Sequence, residues 1–256
     1  MPSRRTTLGA AALVGLLAAC SSSGSGASNS PPGSRPAHST AAASTPAPTA
    51  ATARAFSADI TNPWFPLPVG RHYTYVGTEE GKKAVDKVVV SDRTRVIDGA
   101  ECRLVEDKLY LDGVLEERTT DYYTQAADGA VWYYGEDTAE LDAHGAVTST
   151  EGTWMAGVRG AQAGIMMPAA PRVGQSMAQE RDPGHAEDFF RVLDLGASVT
   201  VPYASSSEAL LTEEWTPLEP DVLDHKYYLR GVGMVKESTV KGPKEENSLT
   251  DVTPAG

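Results

Sequence analysis

The sequence predicts a mostly β protein with a single folded domain, an antiparallel meander that forms a curled sheet, an open barrel or a sandwich. Asp-Gly pairs recur at Asp98-Gly99, Asp112-Gly113 and Asp128-Gly129, and this dipeptide suits type I′ hairpin turns because both central residues need positive φ. The stretches between the turns are rich in Val, Thr, Leu and Tyr, which favour strands. Adjacent aromatic residues such as Tyr122-Tyr123 point to opposite faces of a strand, so both faces of the sheet carry bulky groups.

Other segments complete the predicted domain. The segment 62–70 contains three prolines, which exclude a central strand, so it is predicted as an extended strap covering one end of the core. Glycines and prolines interrupt 151–185; we expect this segment to pack over the sheet, completing the core or forming a lid over a groove. For 188–195 a strand is favoured over a short helix. The remaining predicted strands are one near 71–76 and those at 87–97, 102–111, 114–123, 131–134, 199–203, 209–215, 225–229 and 234–239.

The N-terminus has the features of a signal peptide over residues 1–19. Arg4 and Arg5 precede an uncharged run over 8–19, which is too short to span a bilayer as a helix. The run ends in Leu17-Ala18-Ala19-Cys20, which resembles the bacterial lipobox. This resemblance implies cleavage before Cys20 and diacylation of its thiol, and two acyl chains make a stable anchor. The export route, general or twin-arginine, stays open.

Composition then divides the chain into three parts. After the signal peptide, residues 20–55 comprise the lipidated Cys20 and a Ser/Thr/Pro/Ala-rich tether that is predicted to be disordered. Residues 56–256 form the acidic β-rich domain: all 34 Asp and Glu residues lie there, against 18 of the 22 Lys and Arg. A formal charge of −16 makes nucleic acid a poor partner. Cys102 is the one cysteine left in this domain, so no internal disulfide is expected.

Several runs together resemble a family of exported bacterial lipoproteins that has no assigned activity. The resemblance extends over most of residues 60–240 and implies a single domain, but it implies no cofactor and no catalytic residue. The runs that carry it are 62–70, 131–138, 151–154, 164–168, 215–220, 226–228 and 231–233.

No catalytic motif is found in the domain, so the candidate sites are clusters of suitable side chains. His185, Glu187 and Asp188 offer nitrogen and oxygen ligands for a divalent metal, or a base beside carboxylates; a solvated turn is the favoured interpretation. A second cluster offers aromatic rings and carboxylates to a sugar or a cation, although a hairpin end is favoured for its acidic pair. It consists of Trp132, Tyr134, Glu136, Asp137 and Trp154.

These observations lead to two functional hypotheses. The first is a lipid-anchored protein on the extracytoplasmic face of the cell membrane, a monomer without a cofactor that acts as a non-enzymatic binding or envelope-accessory protein. Its ligand is not identified by the sequence. The alternative is a hydrolase or metal-dependent enzyme that uses the cluster of His185, Glu187 and Asp188.

The anchor is tested by Cys20→Ser. Only the thiol of Cys20 can carry the diacylglycerol thioether, so we expect this variant to be released from membranes or to remain unprocessed. Fractionation of cells followed by immunodetection measures the outcome. A Cys20→Ser protein that is processed and still found wholly with the membrane would show that another anchor exists.

Overall fold

The computed structural model describes residues 55–254 of the 256-residue chain. The predicted signal peptide, Cys20 and all but the last residue of the predicted tether lie outside the described residues. Across residues 55–254 all regular secondary structure is β-strand. In that same part of the chain, no helix is long and apolar enough to cross a membrane.

The strands confirm the predicted mostly β class with antiparallel pairing. Each consecutive pair in the meanders is antiparallel. In chain order the strands are β1 Phe56–Ser57, β2 His72–Glu79, β3 Lys82–Ile97, β4 Ala100–Leu111, β5 Val114–Ala126, β6 Val131–Leu141, β7 Val147–Ser149, β8 Trp154–Met155, β9 Gln162–Met167, β10 Ser176–Ala178, β11 Glu180–Arg181, β12 Phe189–Thr200, β13 Ser205–Trp215, β14 Leu223–Leu229, β15 Gly233–Lys241 and β16 Glu245–Thr253.

Two meanders join into one sheet. The first runs from β2 to β6 and continues to β9, and the second runs from β12 to β16. Strand β16 pairs with β2, which places the C-terminal strand beside the first long strand. The sheet order is therefore β10-β12-β13-β14-β15-β16-β2-β3-β4-β5-β6-β9-β11.

The two edges of this sheet are bridged by one short piece of chain, residues 176–181. Its first half, β10, pairs with β12 at one edge, and its second half, β11, pairs with β9 at the other. Gln179 lies between the halves, and its backbone N–H donates to the carbonyl of Asp188 at 2.7 Å. Because consecutive residues pair with opposite edges, the sheet curls until it nearly closes into a barrel.

This closure brings two backbones very close at Gly164 in β9. A Cβ atom at this position would lie 2.0 Å from the carbonyl oxygen of Gln179. Only glycine leaves room for such an approach. The segment 151–185, predicted to pack over the sheet, therefore supplies its closing strands.

The strap 62–70 covers one end of the barrel, as predicted. The Gly231 N–H donates to the carbonyl of Pro63 in the strap, and the Gly70 N–H donates to the carbonyl of Val90. The Asn62 side chain donates to the carbonyls of Gly129 and Pro168. We call this the strap end of the barrel. The opposite end, where the β2–β3, β4–β5 and β15–β16 turns lie, is called the far end.

The strap end holds the hydrophobic core. Trp64, Phe65 and Leu67 from the strap are buried among side chains of the long strands. Trp154 is 1 % exposed and lies edge-on to the ring of Tyr133 at 5.5 Å, so it completes the core and does not cover an open groove. Cys102 is also fully buried in this core.

Some local predictions differ from the structure. Asp98 and Asp112 have positive φ, as do the glycines that follow them, which agrees with the predicted tight turns. At the third turn only Gly129 has positive φ, and a longer turn closes with Ala126 N donating to Ala130 O. The strand predicted over 199–203 is wrong after Thr200, because β12 ends there and a turn follows. Strand β16 was missed by the sequence pattern.

Candidate functional site: the acidic interior

Acidic side chains occupy strand positions that face the interior of the barrel. Val105, Asp107 and Leu109 alternate along β4 and all three are buried, so they share the inner face. Thr119, which lies directly opposite Asp107 on β5, is buried as well. Lys108, which lies between Asp107 and Leu109 on β4, is exposed. The inner face thus changes from apolar to acidic along a single strand.

Twelve Asp and Glu side chains are buried in the described part of the chain. Asp182 belongs to a turn at the surface, where its backbone bridges to Ala186. Mutual electrostatic effects connect the other eleven into one network. We call them the acidic interior: Glu79, Asp86, Asp107, Glu117, Asp121, Glu136, Glu180, Asp188, Glu214, Asp224 and Glu237.

Lys226 is the one buried cation among residues 55–254. Its ammonium nitrogen lies 2.9 Å from Glu214 Oε2 and 3.3 Å from Glu237 Oε1. Glu214 also accepts from the hydroxyls of Thr212 and Tyr228. The register explains this arrangement, because Lys226 is directly opposite Thr212 on one side and Glu237 on the other. One cation therefore compensates two carboxylates and leaves nine acids to other partners.

Hydroxyl groups satisfy part of the remaining acidic interior. Tyr133 donates to Asp121 Oδ1 at 2.6 Å. Thr138 donates to Glu136 Oε2 at 3.1 Å, and the Thr119 hydroxyl lies between Thr138 and Glu117. Such bonds hold the carboxyl groups in fixed orientations. They supply no positive charge.

Several buried polar atoms have no hydrogen-bond partner among the described residues. Glu136 is fully buried, yet its Oε1 has none, and Asn247, also fully buried, has none at either side-chain atom. Asn247 faces the acidic interior because it is directly opposite Glu237 and Gly77, where a Cβ would meet its Oδ1 at 2.5 Å. Glu79 Oε2 and Glu237 Oε2 also lack a hydrogen-bond partner among the described residues. Each such atom costs about 1–3 kcal/mol in desolvation.

Burial raises the pKa of seven of these acids, Glu79, Asp86, Asp121, Glu136, Glu180, Asp224 and Glu237. Loss of water is the largest cause throughout. It raises the pKa of Asp86 to about 7, although a hydrogen bond with Asp107 acts in the opposite direction. The pKa of Glu237 is also raised to about 7, even with the charge of Lys226 beside it. For Glu79 and Asp121 the pKa rises to about 8.

The deepest acids are affected more strongly. Burial raises the pKa of Glu136 well above its ordinary range, and the charge of Asp121 adds to this effect. Burial likewise raises the pKa of Glu180, with Asp188 as the next contributor. Near neutral pH the acidic interior therefore holds protons, unless positive charge is brought into it.

The predicted metal cluster is not brought together. His185 is exposed on the turn that begins at Asp182, where Glu187 accepts from Gly184 N at 2.7 Å. Asp188 is buried and belongs to the acidic interior. In residues 55–254 no group of three or more His, Cys, Asp or Glu side chains is arranged to hold a metal ion. The solvated turn is the arrangement found for His185 and Glu187.

The second predicted cluster is divided between the two faces of the sheet. Glu136 lies in the acidic interior and Trp154 in the core. Asp137 is on the outer face, where it accepts from the Tyr122 hydroxyl at 2.5 Å and pairs with Arg95. Trp132 and Tyr134 pack against Phe56 of β1. Only Glu136 of these five belongs to the candidate site.

Comparison with known proteins finds two solved structures that are partly similar in fold. No protein-family model matches the chain, and no curated protein matches it. A provisionally assigned exported protein with a YmcC-like fold from Bacteroides fragilis superimposes with a TM-score of 0.44 at 12% identity, covering 75% of this chain and 99% of that one. A provisionally assigned lipoprotein from Parabacteroides distasonis gives a TM-score of 0.41 at 10% identity, covering 76% and 100%.

The raised pKa values predict that stability depends on pH. In the unfolded chain these carboxyls have pKa values near 4, whereas those of Asp86 and Asp121 are about 7 and 8 in the folded protein. Folding therefore takes up protons between these values, and the free energy of unfolding falls as pH rises from about 5 to about 8. Urea unfolding across this range measures the change.

A pair of variants isolates one group. Asp121→Asn removes a titrating carboxyl, so the fall in the free energy of unfolding should be shallower by up to about 1 kcal/mol per pH unit. Asp59→Asn, at an exposed position, should leave the slope unchanged. A stability that rises from pH 5 to 8 would contradict the assignment.

Proposed function

We propose that the protein is a lipid-anchored binding protein on the extracytoplasmic face of the membrane. In this proposal it takes a positively charged organic ligand into the acidic interior. The observation that carries the ligand class is the excess of buried carboxyls over one buried lysine, in a network where polar atoms lack partners. The anchor and location are supported by the lipobox-like sequence ending at Cys20.

A ligand with several separate donors suits this interior better than a single ion. No metal-competent group exists among residues 55–254, so a compact point charge has no ready set of ligands. The carboxyls are instead distributed over most of the long strands, from Glu79 on β2 to Glu237 on β15. Ammonium groups spaced along a chain would each meet one or two carboxylates and form charge-assisted hydrogen bonds.

In this proposal the ligand enters at the far end, where acidic side chains reach the surface. Glu79, at the end of β2, lies directly opposite Glu245, at the start of β16. Glu245 is only partly buried, and its pKa is raised well above its ordinary range by loss of water and by Glu237. Acidic groups thus extend from the surface of the far end to Lys226. The strap end of the interior is lined by apolar side chains, which offer no partner to a charged ligand.

The test uses detergent-solubilised full-length protein at pH 7.5, with spermidine as the cationic ligand. At a concentration about 100 times its Kd, a ligand stabilises the folded state by about 2.7 kcal/mol. For a domain of this size that corresponds to a rise in Tm of about 5–10 °C. We expect this rise with spermidine and a much smaller one with magnesium chloride at equal ionic strength.

Two isosteric variants serve as probe and control. Glu136→Gln keeps the shape of a fully buried acid but cannot ionise when a cation is brought beside it, and we expect it to lose at least half of the spermidine-induced rise. Glu151→Gln changes an exposed acid and should retain all of it. Equal rises with spermidine and magnesium, or a Glu136→Gln response equal to that of the unchanged protein, would overturn the proposed ligand class.

A further inference from the structure

Three cations lie directly opposite one another on the outer face of the sheet. Lys87 on β3 is paired in register with Lys108 on β4, and Lys108 with Arg118 on β5. All three side chains are exposed. Cross-strand neighbours have Cβ atoms about 4.5–5.5 Å apart, and like charges in such pairs destabilise a sheet. We call these residues the cationic row.

The row is not neutralised by neighbouring acids. Within the described range, no carboxylate forms an ion pair with Lys108 or Arg118. Lys87 lies over the ring of Tyr110 at 5.3 Å from its centroid, which does not remove its charge. The row is unusual in a domain whose formal charge is −16.

A groove of about 710 Å³ runs beside Lys108 and Arg118. Two acids line it, but each is already engaged: Glu106 pairs with Arg93, and Asp137 pairs with Arg95. The opposite wall comes from the chain after β6, including Val147 and Thr150. The charged side chains of the groove that form no ion pair are therefore positive, although both acidic and basic side chains line it.

We propose that this groove is a binding site for a small phosphate-type oxyanion, held between Lys108 and Arg118. The spacing of these two side chains allows one oxyanion to contact both, and a guanidinium binds phosphate oxygens in a bidentate manner. The bound anion would remove the repulsion within the cationic row. The site is separate from the acidic interior and on the other face of the sheet.

The phosphate group would come from a free ion and not from a lipid headgroup. A headgroup with net negative charge belongs to an anionic surface, and a domain with a charge of −16 is repelled by such a surface. A small ion in solution meets only the local positive charge, since charges farther away than about 8 Å are screened at physiological salt.

The test measures binding of inorganic phosphate to full-length protein by its effect on Tm, with sodium chloride at equal ionic strength as reference. We expect phosphate to raise Tm and chloride not to. Arg118→Gln should raise the apparent Kd for phosphate at least tenfold. In phosphate-free buffer the same variant should have a higher Tm than the unchanged protein, because it removes a repulsion; a merely structural arginine would give a lower one.

Lys83→Gln is the matched control, since Lys83 is an exposed lysine on the same strand as Lys87. We expect it to keep the phosphate affinity. Equal effects of phosphate and chloride, or of Lys83→Gln and Arg118→Gln, would overturn the site. Phosphate affinity is finally compared between protein anchored in phosphatidylcholine and in phosphatidylglycerol vesicles. Equal affinities support a free ion, and a tenfold loss with phosphatidylglycerol would overturn that source in favour of the headgroup.

Discussion

Closure of the sheet through residues 176–181 is the constraint on which the acidic interior depends. One hexapeptide pairs with β12 through β10 and with β9 through β11, so the two edges meet. An open sheet would leave its second face in water, where carboxylates are hydrated and ionised. In the closed sheet the same side chains are buried, and their charge must be balanced by protons, by Lys226 or by a ligand.

The two ends of the barrel contribute differently to the stability of the fold. At the strap end, Trp64, Phe65 and Trp154 bury apolar surface, and no disulfide joins any of the residues 55–254. Towards the far end, buried acids lower the stability that this core supplies, since uncompensated polar atoms cost free energy. An interior of this kind lowers the stability of the fold, but it is suited to recognising positive charge. The apolar surface buried at the strap end offsets the free energy that the buried acids cost.

The sequence predicted the turns and the fold class more readily than the site. Asp98-Gly99 and Asp112-Gly113 have a local conformational cause, so they are recognisable without tertiary information. Strand β16 was missed because an inward-facing Asn247 between Glu246 and Ser248 has the polarity of a solvated loop. The acids were overlooked for a related reason: a carboxylate on a strand normally indicates the outer face. The available signal was the alternation of side chains along a strand. In Val105, Asp107 and Leu109, an acid shares the face of two apolar residues.

The most direct test of this account is a carbon-detected NMR titration of the side-chain carboxyls in the folded protein. If closure of the sheet removes these groups from water, Asp86 and Glu237 should titrate near pH 7, and Glu79 and Asp121 near pH 8. Exposed acids such as Asp59 and Glu151 provide the reference within the same spectra. Titration of all the interior carboxyls near pH 4 would show that they remain hydrated, and the account of the acidic interior would be wrong.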